Sequence, residues 1–180
     1  MFAFKGGVCV RILGIDPGYA IVGFGVLDYD GRNFRVVNFG AITTPAGMDF
    51  NRRLEMIYSD MCQIIDIYKP DALSMEKLFF NTNTTTAIDV AQARGVILLA
   101  CSQKGLSVNE YTPLQVKSSI VGYGRADKQQ VQEMVRTYLG LKEVPKPDDT
   151  ADALALAITH GHNSSQAAYL ANMALKNTKE

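Results

Sequence analysis

The spacing of the apolar residues changes once along this chain, and that change constrains its fold more than any other feature. Up to Thr43 they fall into three runs, Val8 to Ile15, Ile21 to Tyr29 and Phe34 to Thr43. These runs are rich in β-branched and aromatic side chains and are separated by Pro-Gly and Asp-Gly turns. Strands joined so tightly form an antiparallel meander. From Phe50 to Tyr68 the period becomes helical: Leu54, Ile57, Tyr58, Met61, Ile64, Ile65 and Tyr68 recur three or four apart. Pro70 ends that helix, and Ala72 to Glu76 reads as a short strand. A helix over 87–103, stopped by Gly105, and a strand from Leu106 to Tyr111 follow. Helices are then expected at 113–120, 127–139 and 149–161, with Thr112 and Asp148 as N-caps and Pro113 at a first helical position. The pattern predicts an α/β domain: a five-stranded mixed sheet with helices on both faces, its later strands parallel to the first through right-handed crossovers. One domain covers 1–162, and 163–180 form a frayed or disordered tail.

Charge and cysteine usage remove several classes of function. With 18 Lys+Arg against 18 Asp+Glu and 47% hydrophobic residues, the composition is neither that of a disordered chain nor collagen-like. Cys9, Cys62 and Cys101 contain no C-x-x-C pair and cannot all pair internally. That points to a reducing compartment and away from a zinc ribbon or a disulfide scaffold. No apolar run approaches the roughly 18 residues of a membrane helix. The opening MFAFKGGVCVRILGI, split by Arg11, lacks the layout of a signal peptide. A cytoplasmic protein without membrane partners is expected. Neutrality also conceals an uneven distribution. Between Thr112 and Lys142, Lys117, Arg125, Lys128, Arg136 and Lys142 face only Asp127 and Glu133, five minus two, a local excess of three. A solvated helical face and a nucleic-acid surface both account for such a segment.

Four acids stand where a sheet of this kind gathers ligands, beyond the carboxyl ends of its parallel strands. Asp16 closes the first strand within GIDPG, and Glu76 closes ALSME. Asp149 and Asp152, three apart at the opening of a helix, share one face. Singly, each has an ordinary explanation: a turn aspartate, a surface glutamate, acids complementing a helix dipole. Together they can meet at one edge, where four carboxylates repel unless a cation lies among them. Hard oxygen donors without His or Cys select Mg²⁺ or Mn²⁺. Two such ions roughly 4 Å apart are the arrangement that hydrolyses phosphodiesters. Asp148 lies four residues before Asp152 and could share its face; as an N-cap it would be engaged with backbone N–H groups, leaving Asp149 to the metal.

Other candidates are weaker. His160 and His162, two apart, do not share a helical face, which disfavours a zinc site. Phe79 and Phe80 follow the Glu76 strand and suit either the core or stacking on a base. In the helix from Ala87 to Ala100, the stripe Val90, Ala93, Ile97 and Ala100 suits either burial against the sheet or contact with a second subunit.

In this order the residues resemble the RuvC family of Holliday-junction resolvases, within the RNase H-like superfamily. The segments carrying the resemblance are ILGIDPG at 12–18, MEKLFF at 75–80, AQARGV at 91–96, QVKSSIVGYGRADKQQVQEMV at 115–135 and DDTADALALAITHGH at 148–162. The resemblance implies a catalytic, metal-binding set of Asp16, Glu76, Asp149 and Asp152, served by two Mg²⁺ (or Mn²⁺) ions. It implies that Phe79, or its neighbour Phe80, probes bases at the junction centre, and that Lys117 and Lys128 contact DNA near the scissile phosphate. It implies paired symmetric nicks in four-way DNA junctions, in recombination and repair. A homodimer is implied too, with branch-migration partners, a junction-binding tetramer and a hexameric motor. Fifteen residues precede Asp16, more than the resemblance leads one to expect. An actin-like or sugar-kinase ATPase would need a second phosphate-binding domain, for which 180 residues leave no room. A catalytically dead DNA-binding relative would be expected to have lost some of the acids, and all four are present.

Overall fold

The computed structural model describes residues 9–77 and 84–177, without the side chains of 84, 85 and 165–177. The described residues form five strands and five helices, in the order β1 (Val10–Asp16), β2 (Ile21–Tyr29), β3 (Phe34–Thr43), α1 (Phe50–Tyr68), β4 (Ala72–Glu76), α2 (Thr84–Gln103), β5 (Ser107–Tyr111), α3 (Pro113–Val121), α4 (Lys128–Tyr138) and α5 (Asp148–Asn177). The sheet order is β3-β2-β1-β4-β5. β1, β2 and β3 pair antiparallel, and β4 and β5 extend the sheet parallel to β1. This is the mixed sheet expected from the apolar pattern.

The two-residue period of the strands sends alternate side chains to opposite faces. On one face Leu13, Ile15, Leu73 and Met75 pack with Ile57 and Met61 of α1 and Ala93 and Ile97 of α2. On the other, Ile12 and Leu27 pack with Ile120, Val131 and Val135 of α3 and α4 and with Leu154 and Ile158 of α5. The helices therefore cover both faces. α5 lies unusually close to the sheet because the strands beneath its first turns carry glycine. A Cβ on Gly14 would fall 2.0 Å from the Ala153 carbonyl oxygen, and one on Gly23 2.0 Å from that of Asp149.

Two helices open with capping boxes, one at the expected cap Thr112 and one at Asp127, expected as a helical residue rather than a cap. Thr112 and Gln115 form a reciprocal capping box at α3, and Asp127 and Gln130 form another at α4. The expectation that Asp148 caps its helix is corrected. Asp148 is the first residue of α5 rather than its N-cap, and its carboxylate accepts a hydrogen bond from Lys146 Nζ at 2.7 Å. In α2, Ala93, Ile97 and Ala100 are fully buried, so that stripe belongs to the core; the outward face shows Ile88 and Leu99 instead. α5 continues past residue 162 to Asn177.

Candidate active site

Strand register brings the first two acids together. Ile15 pairs with Met75 across the parallel β1–β4 ladder, so Asp16 and Glu76, one residue further, end side by side. The strand period also sets which way they face. Two residues earlier, Gly14 lies under α5, and Ser74 Oγ donates to the Leu156 carbonyl of α5 at 2.7 Å. Asp16 and Glu76 therefore point toward α5, whose first turns carry Asp149 and Asp152.

The electrostatics show how closely these groups act on one another. Burial, then the charges of Asp152, Asp149 and Glu76, push the Asp16 carboxyl up from 3.8 to about 7, against the pull of Lys128. Glu76 is raised by burial and by Asp152, with Arg94 and Lys117 opposing. Asp152 is raised by burial, which Lys128 only partly offsets. These carboxylates cannot all ionise comfortably on their own.

A cleft of about 200 Å³ opens beside them, bounded by Glu76 and Asp152, by Lys117 of α3 and Lys128 of α4, and floored by Val116 and Val131. Lys128 Nζ lies 3.1 Å from Asp152 Oδ2 and 3.6 Å from Asp148 Oδ2. Both lysines named from the sequence thus border the acids.

One residue of the site escaped the sequence reading. Arg94, buried on α2, donates from Nη1 to the Glu76 carbonyl at 2.7 Å and pairs with the Glu110 carboxylate. It ties α2 and β5 to the end of β4. The signal was there: a cation inside the apolar run of α2, with strand-end acids nearby to receive it. His160 and His162 belong to other contacts, His160 with the Tyr111 hydroxyl at 2.8 Å and His162 with Ser119 Oγ at 3.1 Å.

A family model described as "Crossover junction endodeoxyribonuclease RuvC" matches residues 12–160. The chain belongs to the RuvC family. The RuvC of Clostridioides difficile is 57% identical over 162 residues, covering 90% of this chain and 96% of that protein. The solved RuvC of Thermus thermophilus superposes with a TM-score of 0.81 at 34% identity, over 87% of this chain and 96% of that one. The same Thermus protein solved in complex with a Holliday-junction substrate gives a TM-score of 0.79 at 32% identity, with the same coverage. The five-stranded sheet with its flanking helices is thus RNase H-like. The span matched by the RuvC model contains all four acids, both lysines and Arg94.

RuvC proteins are metal-dependent nucleases, and the residues here suit a hard divalent cation by donor type: carboxylate oxygen throughout, without thiolate or imidazole. Asp16, Glu76 and Asp152 are raised first by burial and then by neighbouring carboxylates, Asp152 acting on both Asp16 and Glu76, and Asp149 and Asp148 on Asp152; a cation there would relieve both. Among the described residues no three His, Cys, Asp or Glu side chains are placed so that they could hold a metal ion together. Phe79 and Phe80 lie outside the described residues.

Proposed function

We infer that the chain is a structure-selective endonuclease that resolves four-way DNA junctions in homologous recombination and repair. The observation that carries this reading is the proximity of carboxylates from β1, β4 and α5, with Glu76 and Asp152 lining a cleft that Lys117 and Lys128 border. Asp16, Glu76, Asp149 and Asp152 would hold two Mg²⁺ or Mn²⁺ ions. Such ions supply an activated water and charge stabilisation at the leaving oxygen. The protein supplies position. Asp16 and Glu76 stand on adjacent strands whose register is held by the sheet, and Arg94 anchors the β4 end through the Glu76 carbonyl. Lys117 and Lys128 bind phosphate oxygens along the cleft, fixing the scissile group against the acids. Phe79 or Phe80, directly after the Glu76 strand, stacks on bases at the junction centre. Water displaces the 3′ oxygen in line, leaving 5′-phosphate and 3′-hydroxyl ends. One domain, residues 1–162, carries this chemistry, with 163–180 as an appendage.

A four-way junction needs two nicks placed symmetrically, so the working unit is a C₂ homodimer. The outward face of α2 suits such a contact. Ile88, Gln92, Gly95 and Leu99 are exposed and spaced four, three and four apart, with Ile88 64% and Leu99 51% exposed. A Cβ added to Gly95 would meet nothing within the chain, yet glycine there costs about 1 kcal/mol of helix propensity relative to alanine. Close approach of a second helix gives that glycine a purpose. The dimer acts in the cytoplasm with branch-migration proteins, a junction-binding tetramer and a hexameric motor. Among the described residues no helix is long and apolar enough to cross a membrane.

The test is Asp16→Asn on a synthetic four-way junction with Mg²⁺. Cleavage should fall by orders of magnitude while junction binding persists; normal cutting would move the site elsewhere. Leu99→Glu should yield monomers by sedimentation and shift the product of a cruciform plasmid from linear to nicked circle. A variant that remains dimeric would place the interface on another face.

A further inference from the structure

We propose that Asp148 positions Lys128, taking up its ammonium when a divalent cation displaces it from Asp152. The inference rests on the metal-dependent reading above and assigns a role to a carboxylate outside the four ligands.

The geometry is a relay of two acids around one lysine. Asp148 and Asp152 lie four apart on α5, so their side chains share a face. Lys128 Nζ sits between them, 3.1 Å from Asp152 Oδ2 and 3.6 Å from Asp148 Oδ2. The two oxygens of Asp148 are divided between partners: Oδ1 accepts from Lys146 Nζ at 2.7 Å, which leaves Oδ2 turned toward Lys128. The Lys128 backbone is held as the first residue of α4 by the Asp127–Gln130 capping box, so only its flexible stem has to swing. A cation and an ammonium cannot share the same Asp152 oxygen. Lys128 therefore competes with metal, and the proximity of Asp148 lowers the cost of its departure. Held by Asp148, the ammonium stays at the edge of the cleft, where a phosphate would pass.

A purely structural Asp148 would act otherwise. As a first-turn acid it favours the helix dipole and pairs with Lys146, and neither contribution depends on Lys128. The discriminating experiment is a double-mutant cycle on the full chain, titrated calorimetrically with Mn²⁺ alone and without DNA. Lys128→Met should bind Mn²⁺ more tightly than the parent protein although it removes a residue the cleft uses. Asp148→Asn should weaken Mn²⁺ binding by about two- to five-fold, the range open to one exposed ion pair. In the Lys128→Met background that weakening should largely vanish, and Asp148→Glu should restore parental affinity. Equal weakening with and without Lys128, or none, overturns the anchor and leaves the metal site standing. A parent protein that binds no Mn²⁺ overturns the metal reading and the anchor with it.

Discussion

Two aspartates on the same pair of strands show how this fold separates structure from chemistry. Asp28 on β2 is 2% exposed and clasped by two guanidiniums, with Arg11 Nε at 2.7 Å from Oδ1 and Arg35 on the other oxygen. Burial raises its pKa, but the hydrogen bonds from Arg11 and Arg35 outweigh burial and leave it below the usual carboxylate range. Asp16, at the far end of β1, has three carboxylates as neighbours, and the sum of burial and repulsion carries it up to about 7. The chain supplies Asp28 with its countercharge. For Asp16 it supplies only a shared lysine at the edge. A buried acid compensated from within holds strands together, whereas a cluster left in charge excess is built to receive a cation.

Exchanging the two charges should separate the roles most sharply. Asp16→Asn should lower cleavage by orders of magnitude, and the metal-free protein should melt no lower than the parent, because a repelling charge is gone. Thermal melts in a chelator check this, and a large fall in Tm would mean that Asp16 is structural. Asp28→Asn should do the reverse. It leaves Arg11 and Arg35 without their carboxylate and should cost about 2 kcal/mol, short of a fully buried pair because both arginines reach solvent. Cleavage per folded molecule should be kept. Unchanged stability would break the comparison on that side.

The two acids also bend the stability curve in opposite directions. Asp16 has a folded pKa of about 7 against 3.8 for the ordinary group. Between those values the folded state binds a proton that the unfolded state releases, so stability falls as pH rises through the window and its contribution is gone above 7. Glu76 and Asp152, also raised, add the same sign. Asp28 is lowered, so its contribution is present above the ordinary carboxylate pKa and is lost on acidification below it. His160 and His162, lowered by burial, carry the opposite sign over part of this range, so the Asp16 effect is read as a difference: between pH 5.5 and 8 the metal-free parent should lose Tm relative to Asp16→Asn, with a separate loss below pH 4. Mg²⁺ should flatten the upper branch, and so should Asp16→Asn. The same pH dependence of Tm in the parent protein and in Asp16→Asn, both in chelator, would contradict the account of Asp16. The smallest effects fall at the cleft walls. Lys117→Ala and Lys128→Ala should each flatten the salt dependence of junction binding by about one unit of slope. An unchanged slope would return either one to the solvated surface.

The acids were legible because local pattern decides them. A strand must end somewhere, and Asp16, Glu76 and the D-x-x-D pair of α5 sit at ends that the apolar period already marks. Their common orientation toward α5 follows from counting by two along each strand. The face of α2 was not legible. Ile88, Leu99 and the stripe Ala93, Ile97, Ala100 are all apolar, and only packing against α1 shows which of them is inside. Arg94 was passed over because a cation inside an apolar helical run does not by itself name its partners, which lie on two different strands. Asp148 was read as a cap because an acid before a helix usually is one. Its partners include Lys146, two residues back, and Lys128, which the fold brings in from α4.

The most direct test sets a synthetic four-way junction against a plain duplex of equal length, each with Mg²⁺ and with chelator. The charge excess around Asp16 predicts cutting of the junction in Mg²⁺ alone, with paired nicks placed symmetrically about the crossover and the duplex spared. Cutting that persists in chelator, or a duplex cut as fast as the junction, would contradict the assignment of this carboxylate edge as a metal-dependent, junction-selective nuclease site.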